Sequence, residues 1–484
     1  VLELLGPNTL LKITGPTINN GLIHLESTSP ETSVTLEIAG GSLTNATGGR
    51  IQTSGTGEAR FHAECHNAGT LDVGARTVLQ KADAHHSNAA DSTLNIAAGQ
   101  ELIVSQVGTD PDFTNNGAIT IPATARLQVL GGTLREPSWG VDGTGDIHVE
   151  DGTFDIGAAA SSAVTWTLLN AELKGAGSVT NTGTVSLQGG ALLSLPMTNE
   201  GTIEATAGTN TFAAPLTAPS SGRIDTRADA TLVLDAPLTN QGQLAIRDAS
   251  TVSCAKPLTN QGTIELIPEI GSRGTPLLSV TTGGLANEAG GVVRSTGGPT
   301  AAISRIGCPI NSAGSIDVEA PLELTAEGVI HTNTGVVSAI QAPLLVTGAQ
   351  SFDNAGDVLV ADPGGLQFTG TPFRNLQAGT LSGTGTVVVG DDGVENAGTI
   401  SPGASAGNLL IDGDLALTAT SILDIELGGT VPGPEHDRIQ VTQTATLDGT
   451  LVVTLIAPYE PPVWTDYSLV EATDVVGEFA EMDL

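Results

Sequence analysis

The feature that most constrains this chain is a five-residue unit, Asn-x-Gly-x-aliphatic, that recurs along most of its length. Clear copies begin at Asn19, Asn67, Asn115, Asn181, Asn199, Asn240, Asn260, Asn333, Asn354 and Asn396. Weaker copies begin at Ser220, Asn287, Asn311 and Asn375. Such a chain differs from an ordinary globular domain, because each copy must bury its apolar side chains against the next copy.

The spacing of the copies gives the length of one structural repeat. With the weaker copies included, the starting positions run at nearly constant intervals from 181 to 260 and again from 311 to 396. These intervals predict a three-faced parallel β-helix with coils of roughly 20–22 residues. A repeat of that length is too short for a propeller blade or a two-helix repeat. The copies at Asn19, Asn67 and Asn115 lie more than twice as far apart, and we interpret each of these intervals as two coils.

The chemistry of the unit predicts a tight turn followed by a half-buried strand. Asn and Gly tolerate left-handed backbone angles, so we expect them to turn the chain. In the copy at Asn260, Ile264 would face inward and Glu265 outward, because strand side chains alternate. Ile264→Asp should therefore destabilise the fold strongly, and Glu265→Lys should have little effect. Asn240 and Asn260 are expected to stack in an amide ladder.

Composition supports many short strands and restricts the choice of partners. Of 484 residues 62 are glycine, while aromatic residues make up 3% and charged residues 14%. The formal net charge is -35, which repels phosphate backbones and argues against nucleic-acid binding. No apolar run approaches the ~18 residues of a membrane-spanning helix, so we expect no membrane span in this segment.

The three cysteines, Cys65, Cys254 and Cys308, lie far apart in the sequence and form no disulfide framework. We expect Cys254 and Cys308 to lie in or beside the core as small apolar residues.

Further repeats carry a resemblance to a known group of proteins. The unit aliphatic-x-Gly-x-Gly-x-aliphatic occurs at Val141, Leu173 and Leu381, and a closing segment, NAGTISPGASAGNLLIDGDLAL, covers 396–417. With the Asn-x-Gly units and the tail 422–479, these resemble bacterial secreted surface β-helix proteins of the autotransporter-passenger and haemagglutinin-like type. The resemblance implies a right-handed parallel β-helix, export to the extracellular space or cell surface, and an adhesive or structural role, and it implies no catalytic residues.

The same features predict two parts of the chain. Residues 1–395 would form the repeat β-solenoid, and residues 396–484 a less regular C-terminal β module that closes it. No low-complexity linker separates them, so one continuous stack is expected.

The most site-like cluster is His62, Cys65 and His66, followed about one coil later by His85 and His86. Cysteine and histidine are zinc ligands, and stacked coils could bring the two groups together. The alternative is a polar surface loop, since residues 81–91 are mostly polar. The spacing is weak support for zinc, so we predict no metal site and no cofactor.

Carboxylates could act in sugar cleavage, and the candidates are Asp225, Asp229, Asp391 and Asp392, all expected at outward or turn positions. With 52 acidic residues, chance pairs are common. Stacking platforms for sugars are few: Trp139, Trp166, Trp464, Tyr459 and Tyr467. No catalytic motif is present. We therefore predict no catalytic residues and no enzyme.

The sequence favours an extracellular scaffold or fibre subunit that self-associates head to tail, since open solenoid ends expose unpaired strand edges. The alternative is an adhesin that binds a host, surface or polysaccharide ligand through loops between coils. Irregular steps such as 260–287 mark insertions that could hold such loops. A polysaccharide-active β-helix enzyme is the third hypothesis.

Overall fold

The computed structural model describes residues 1–268, 274–298, 301–403 and 405–484. These residues are all-β and form a parallel β-solenoid of about 19 turns, with coils about 22 residues apart. The predicted fold class is therefore confirmed. Two compact units are present: unit 1 comprises 1–225 and 230–236, and unit 2 comprises 226–229 and 237–484. The predicted boundary at 395/396 falls inside unit 2 and stays a prediction.

Unit 1 contains mostly short strands. Their bounds are β1 Leu2–Leu5, β2 Thr9–Ile13, β3 Thr17–Asn19, β4 Leu22–Ser27, β5 Ser33–Asn45, β6 Arg50–Gly55, β7 Glu58–Asn67, β8 Thr70–Val73, β9 Thr77–Gln80, β10 His85–Asn88, β11 Thr93–Ile96, β12 Glu101–Ser105, β13 Asp112–Asn115, β14 Ala118–Ile121, β15 Arg126–Leu130, β16 Thr133–Glu136, β17 Val141–Gly143, β18 Asp146–Glu150, β19 Thr153–Ile156, β20 Ala160–Ser162, β21 Thr165–Leu169, β22 Glu172–Lys174, β23 Val179–Asn181, β24 Thr184–Gln188, β25 Leu192–Leu193, β26 Met197–Asn199, β27 Thr202–Ala205, β28 Thr209–Phe212, β29 Leu216–Ala218, β30 Arg223–Thr226 (whose last residue belongs to unit 2) and β31 Thr231–Leu234.

Each turn of unit 1 adds one strand to each of three parallel rows. Row A contains β3, β5, β7, β10, β13, β16, β19, β22, β25, β28 and β31. Row B contains β1, β4, β6, β8, β11, β14 and β17, and after an interruption β20, β23, β26 and β29. Row C contains β2, β5, β7, β9, β12, β15, β18, β21, β24, β27 and β30. Strands β5 and β7 are long enough to serve rows C and A in succession.

Unit 2 has strands of the same kind, followed by longer ones near its C-terminal end. Their bounds are β32 Leu238–Asn240, β33 Gln243–Arg247, β34 Thr251–Cys254, β35 Leu258–Asn260, β36 Thr263–Ile267, β37 Leu277–Val280, β38 Leu285–Asn287, β39 Val292–Ser295, β40 Ser304–Gly307, β41 Ile310–Ser312, β42 Ser315–Val318, β43 Leu322–Leu324, β44 Ile330–Asn333, β45 Val336–Ala339, β46 Pro343–Thr347, β47 Ser351–Asn354, β48 Asp357–Val360, β49 Gly365–Thr369, β50 Phe373–Asn375, β51 Thr380–Gly383, β52 Thr386–Asn396, β53 Thr399–Pro402, β54 Asn408–Leu417, β55 Ile422–Leu427, β56 Arg438–Leu447, β57 Thr450–Leu455, β58 Val470–Gly477 and β59 Glu481–Asp483.

Three parallel rows also run through unit 2, each strand up to β49 pairing with the third strand after it. Beginning with β52, two rows merge, because β52 pairs with both β49 and β50. The long strands β54, β56 and β58 continue this merged face.

Alternating burial along the strands places aliphatic side chains inside. Ile264 and Leu266 are fully buried, while Glu265 between them is partly exposed, which confirms the predicted inward and outward faces. Cys254 and Cys308 are buried free thiols, also as predicted. The core of each unit is thus a continuous apolar filling, built from every second residue of each strand.

Buried asparagines form hydrogen-bonded columns at the corners of the turns. In unit 1, column 1 links Asn19, Asn45, Asn67, Asn88 and Asn115, with each Nδ2 donating to the next Oδ1 at 2.7–2.8 Å. In unit 2, column 2 links Asn333, Asn354, Asn375 and Asn396 at 2.7–2.8 Å. The predicted pair Asn240 and Asn260 is also bonded, at 2.8 Å. The two-coil interpretation of 19–115 is confirmed, because Asn45 and Asn88 supply the intermediate rungs.

Glycine in the repeat unit serves close stacking and not a left-handed backbone. The left-handed glycines of the described chain do not include Gly335 or Gly356, and the column asparagines are not left-handed either. A Cβ on Gly356 would instead lie 2.1 Å from the carbonyl oxygen of Gly335 in the preceding turn. The expectation of left-handed turn angles was therefore wrong.

Two weak copies of the unit were aligned on the wrong residue. Asn311 lies next to the column position, which Ser312 occupies, accepting a hydrogen bond from Asn287 Nδ2 at 3.0 Å. Ser220 is exposed, and Thr198 pairs with Thr217, so Ala218 is the residue level with Asn199. Small side chains thus replace asparagine where a column is interrupted.

Candidate functional site

The predicted metal-ligand cluster is divided between the inside and the outside of the solenoid. The thiol of Cys65 faces inward, and burial raises its pKa to about 12. On the next strand of row A, His86 is buried and its Nδ1 accepts the Cys65 backbone N–H at 3.2 Å. Burial lowers the pKa of His86 to about 4. Both shifts favour the neutral forms of these two side chains, which pack together inside the turns.

The other members of this cluster lie on the outer surface with carboxylate partners. His66 Nε2 lies 2.9 Å from Glu64 Oε1. His85 Nδ1 lies 2.8 Å from Asp112 Oδ1, and this hydrogen bond raises the pKa of His85.

His62 is half-buried on β7. Over the described residues, no three His, Cys, Asp or Glu side chains are arranged to hold a metal ion. The alternative of a polar surface loop over residues 81–91 was wrong for residues 85–88, because these form β10.

The candidate carboxylates do not form one site. Asp225 is buried, and Arg223 Nη2 donates to its Oδ2 at 2.7 Å. Asp229 is exposed in a left-handed turn, and Asp391 and Asp392 are exposed in the middle of β52, where the strand register shifts.

Most of the aromatic residues considered as stacking platforms for sugars contact other side chains of the protein. Trp166 is fully buried, with its ring centroid 5.7 Å from that of Trp139. The hydroxyls of Tyr459 and Tyr467 lie 2.6 Å apart. Trp464, in contrast, is 98% exposed.

A charged column on row C is the feature that the sequence analysis missed. It consists of Glu58, Arg76, Glu101, Arg126 and Asp146, which occupy the same position in five successive turns. Arg76 contacts Glu58 and lies 3.3 Å from Glu101. Arg126 Nε donates to Asp146 Oδ2 at 2.8 Å, and its Nη1 lies 3.9 Å from Glu101. Opposite charges alternate along the stack.

A groove of about 520 Å³ opens beside the C-terminal half of this column. Four consecutive turns of row C line it, with Gln100, Glu101, Arg126, Asp146 and Thr167 supplying polar side chains. Thr167 Oγ1 donates to Asp146 Oδ1 at 3.0 Å, so both carboxylate oxygens of Asp146 are held in place.

The rim of the groove contains a backbone outlier. Thr124 has a φ of 68°, which is rare for a β-branched residue. On the groove wall a Cβ at Gly145 would meet the Ala125 oxygen at 2.6 Å, whereas a Cβ at Gly99 would meet open space. The wall is therefore closely packed at one turn and open at another.

A second groove, of about 270 Å³, flanks the other half of the column. Its polar lining includes Asn8, Glu31, Glu58, Arg60 and Arg76. The column thus has a polar depression beside each half.

Irregular spacing explains why the charged column was missed. Its members are unevenly spaced along the sequence, because the turns between strands differ in length. The signal available in the sequence was the alternation of acidic residues and arginine at the start of successive row C strands.

Comparison with known proteins gives one short match. Over 59 residues the chain is 49% identical to part of a protein from Brucella suis biovar 1 (strain 1330) described as "Adhesin BmaC autotransporter". The match covers 12% of this chain and 2% of that protein's length. No protein-family model matches the chain. The match and the β-solenoid fold together fit a surface β-helix protein of the adhesin-like kind.

Helices are missing from the described residues, and none of these residues therefore forms a helix able to cross a membrane.

Proposed function

We propose that this chain is an extracellular, cell-surface adhesin-like protein in which the solenoid is the scaffold and outward-facing residues bind the ligand. The observation that carries the proposal is the filled interior. Apolar side chains and asparagine columns occupy the inside of the turns, so contacts with a partner must come from the outer faces and turns. The short match to an adhesin autotransporter supports the surface location.

Of the outer features, the groove beside the charged column is the best candidate for ligand contact, because it combines concavity with convergent polar groups. The insertion in 260–287, which the sequence analysis considered for a binding loop, includes residues 269–273, and these lie outside the described residues.

Beads coated with the purified chain test the proposal. We expect them to adhere to cultured host cells or to immobilised polysaccharide, and we expect excess soluble chain to compete. Beads coated with heat-unfolded chain at equal density are the control. If folded and unfolded coatings adhere equally, the chain is no adhesin.

A fibre subunit is the second candidate, and the outermost strands favour it. Leu10 and Ile18, on β2 and β3, are 61% and 66% exposed, and each of these strands pairs on one side only, with β5. On β58 and β59, Val475 and Met482 are 53% and 59% exposed. Unpaired edges with apolar side chains can accept another copy. Light scattering that rises steeply with concentration would support this candidate, and a constant monomer mass would exclude it.

We further propose that the chain is not an enzyme. The buried acids have structural partners: Asp437 Oδ1 and Oδ2 accept the backbone N–H groups of Gly407 and Glu426, both at 2.7 Å. Glu136 is bonded to Asn115. Incubating the protein with neutral and acidic polysaccharides tests this directly. Mass spectrometry of the mixture measures the products, and any shortened polysaccharide would show catalysis.

A further inference from the structure

We propose that the groove beside Glu101, Arg126 and Asp146 binds a linear, uncharged oligosaccharide that lies along the stack of turns. This inference rests on the proposed surface role and adds the chemical class of the ligand.

The direction of the ligand follows from the register of row C. The first residues of β12, β15, β18 and β21 are in register, so Glu101, Arg126, Asp146 and Thr165 form a line across four turns. Adjacent parallel strands are ~4.8 Å apart, so polar groups recur at that interval along the groove. A linear polymer with hydroxyl groups at similar intervals can therefore form hydrogen bonds with the polar groups of successive turns.

The polar groups suit hydroxyls, which both donate and accept. Asp146 accepts from Arg126 Nε and from Thr167 Oγ1, one bond on each oxygen, so each oxygen keeps a lone pair for a ligand hydroxyl. The Arg126 guanidinium carries five donors, and its bond to Asp146 uses one of them. The Arg126 side chain is 46% exposed and therefore accessible. Gln100 adds an amide with both functions.

Charge argues for an uncharged ligand. The column holds three carboxylates and two guanidiniums, and the whole chain carries a net charge of -35. Sulfated or carboxylated polymers would be repelled. Apolar ligands are also disfavoured, because the groove lining contains no large aliphatic or aromatic side chain.

The site is held in shape before binding. Asp146 is fixed by two hydrogen bonds, and Arg126 is placed between two carboxylates. Side chains that are already ordered lose little conformational entropy when a ligand binds. Hydrogen bonds without an aromatic stacking surface give modest affinity, so we expect dissociation constants in the millimolar to high micromolar range.

Saturation-transfer NMR and calorimetry on the whole chain test the proposal, with six-unit β-1,4-glucose and β-1,4-mannose oligomers as probes. A heparin hexasaccharide is the charged comparison. At least one neutral hexamer should bind, and heparin should not. Arg126→Ala should weaken binding tenfold or more.

Two further variants make the result specific. Thr144→Trp fills the groove from an exposed position on its rim and leaves the charged column intact, so it should also weaken binding tenfold or more. Arg135→Ala is the matched control, because Arg135 bridges Asp112 and Asp155 across the turns of row A, away from the groove. It should bind like the unchanged chain.

The outcomes separate this inference from the proposed function. If no neutral hexamer binds even at concentrations tenfold above the expected range, or if Arg135→Ala loses as much affinity as Arg126→Ala, the groove is not a glycan site, whatever the beads do. If a hexamer binds in the groove but coated beads do not adhere, the site stands and the adhesive role fails.

Discussion

Column 1 in unit 1 and column 2 in unit 2 use the same asparagine pairing but end differently. Column 2 is made of amides up to Asn396, whose Nδ2 donates to the Gly398 carbonyl at 3.0 Å. Column 1 ends in a buried carboxylate, because Asn115 Nδ2 donates to both oxygens of Glu136 at 3.0 and 2.9 Å. In the next turn Ile156 pairs with Glu136.

The difference shows what allows a column to repeat. An amide donates and accepts, so each asparagine passes the pattern to the next, whereas Glu136 is followed in the next turn by Ile156, whose side chain has no polar group to continue it. After Glu136 the asparagine moves to another corner. Asn67 and Asn115 close strands of row A, while Asn181 and Asn199 close strands of row B. Row B is interrupted at the same place, between β17 and β20 of the described chain.

The largest effect is expected at an apolar position of the kind that both regions share. Ile264→Asp places a carboxylate in a fully buried site, which should cost about 5 kcal/mol of unfolding free energy. Guanidinium unfolding followed by circular dichroism measures it. Glu265→Gln is the control on the adjacent outward position and should stay within about 0.5 kcal/mol. Equal losses would mean that the inward and outward faces are misassigned.

Replacing Glu136 at the end of column 1 by glutamine should give both columns an amide at that end. Burial raises the pKa of Glu136 to about 8 from its ordinary 4.5, although Asn115 and Gly140 act in the opposite direction. The unfolded chain ionises at lower pH than the folded chain, so stability falls as pH rises from 4.5 to about 8. The loss is up to about 5 kcal/mol.

Glu136→Gln should therefore be more stable than the unchanged chain at pH 9, and it should lack this fall. Unfolding free energies measured from pH 4 to 9 test the expectation. A fall of the same size in both proteins would assign the pH dependence to other groups.

Interrupting column 2 in the middle should cost less than a buried charge. Asn354 Nδ2 donates to Asn375 Oδ1 and the Gly356 carbonyl, and its Oδ1 accepts from Asn333 Nδ2. Asn354→Ala leaves these buried groups without a partner and should cost about 4 kcal/mol. Hydrogen exchange at the neighbouring turns should accelerate. Asn311→Ala, outside the column, should be nearly silent, and comparable losses at both positions would contradict the column's role.

Acid should weaken both units through one buried histidine each. His86 and His331 lie two residues before a column asparagine, and Nδ1 of each accepts a backbone N–H, from Cys65 and Ile310 respectively. Burial lowers the pKa of His331 to about 4 from 6.5, so its contribution to stability is present above pH 6.5 and is lost as pH falls to about 4. The loss is at most about 3 kcal/mol.

His331→Gln should reduce the loss of stability between pH 6.5 and about pH 4. Thermal unfolding of both proteins at pH 4 to 7 measures this loss. If the variant loses as much stability in acid as the unchanged chain, the acid sensitivity comes from other groups.

The sequence predicted the solenoid, the coil length and the Asn240 and Asn260 pair, because a repeat read at constant spacing carries that information directly. It could not show that Asn45 and Asn88 are rungs, since Asn45 lacks the following glycine at the expected position and Asn88 is followed by Ala and Ala. It also could not show the groove, because contacts between turns depend on register and not on neighbouring letters. The same limit divided the cysteine and histidine cluster: residues adjacent in sequence point to opposite faces of a strand.

We expect that the inner asparagine columns stabilise the fold and that the outer groove binds the ligand. Bead adhesion of two arginine variants tests this division most directly. Arg126→Ala and Arg135→Ala remove similar exposed ion pairs, each worth ~0–1 kcal/mol, so both should stay folded. At equal folded density on the beads, adhesion should fall for Arg126→Ala and stay unchanged for Arg135→Ala. Equal adhesion of the two variants would contradict the division, because binding would then not depend on the groove.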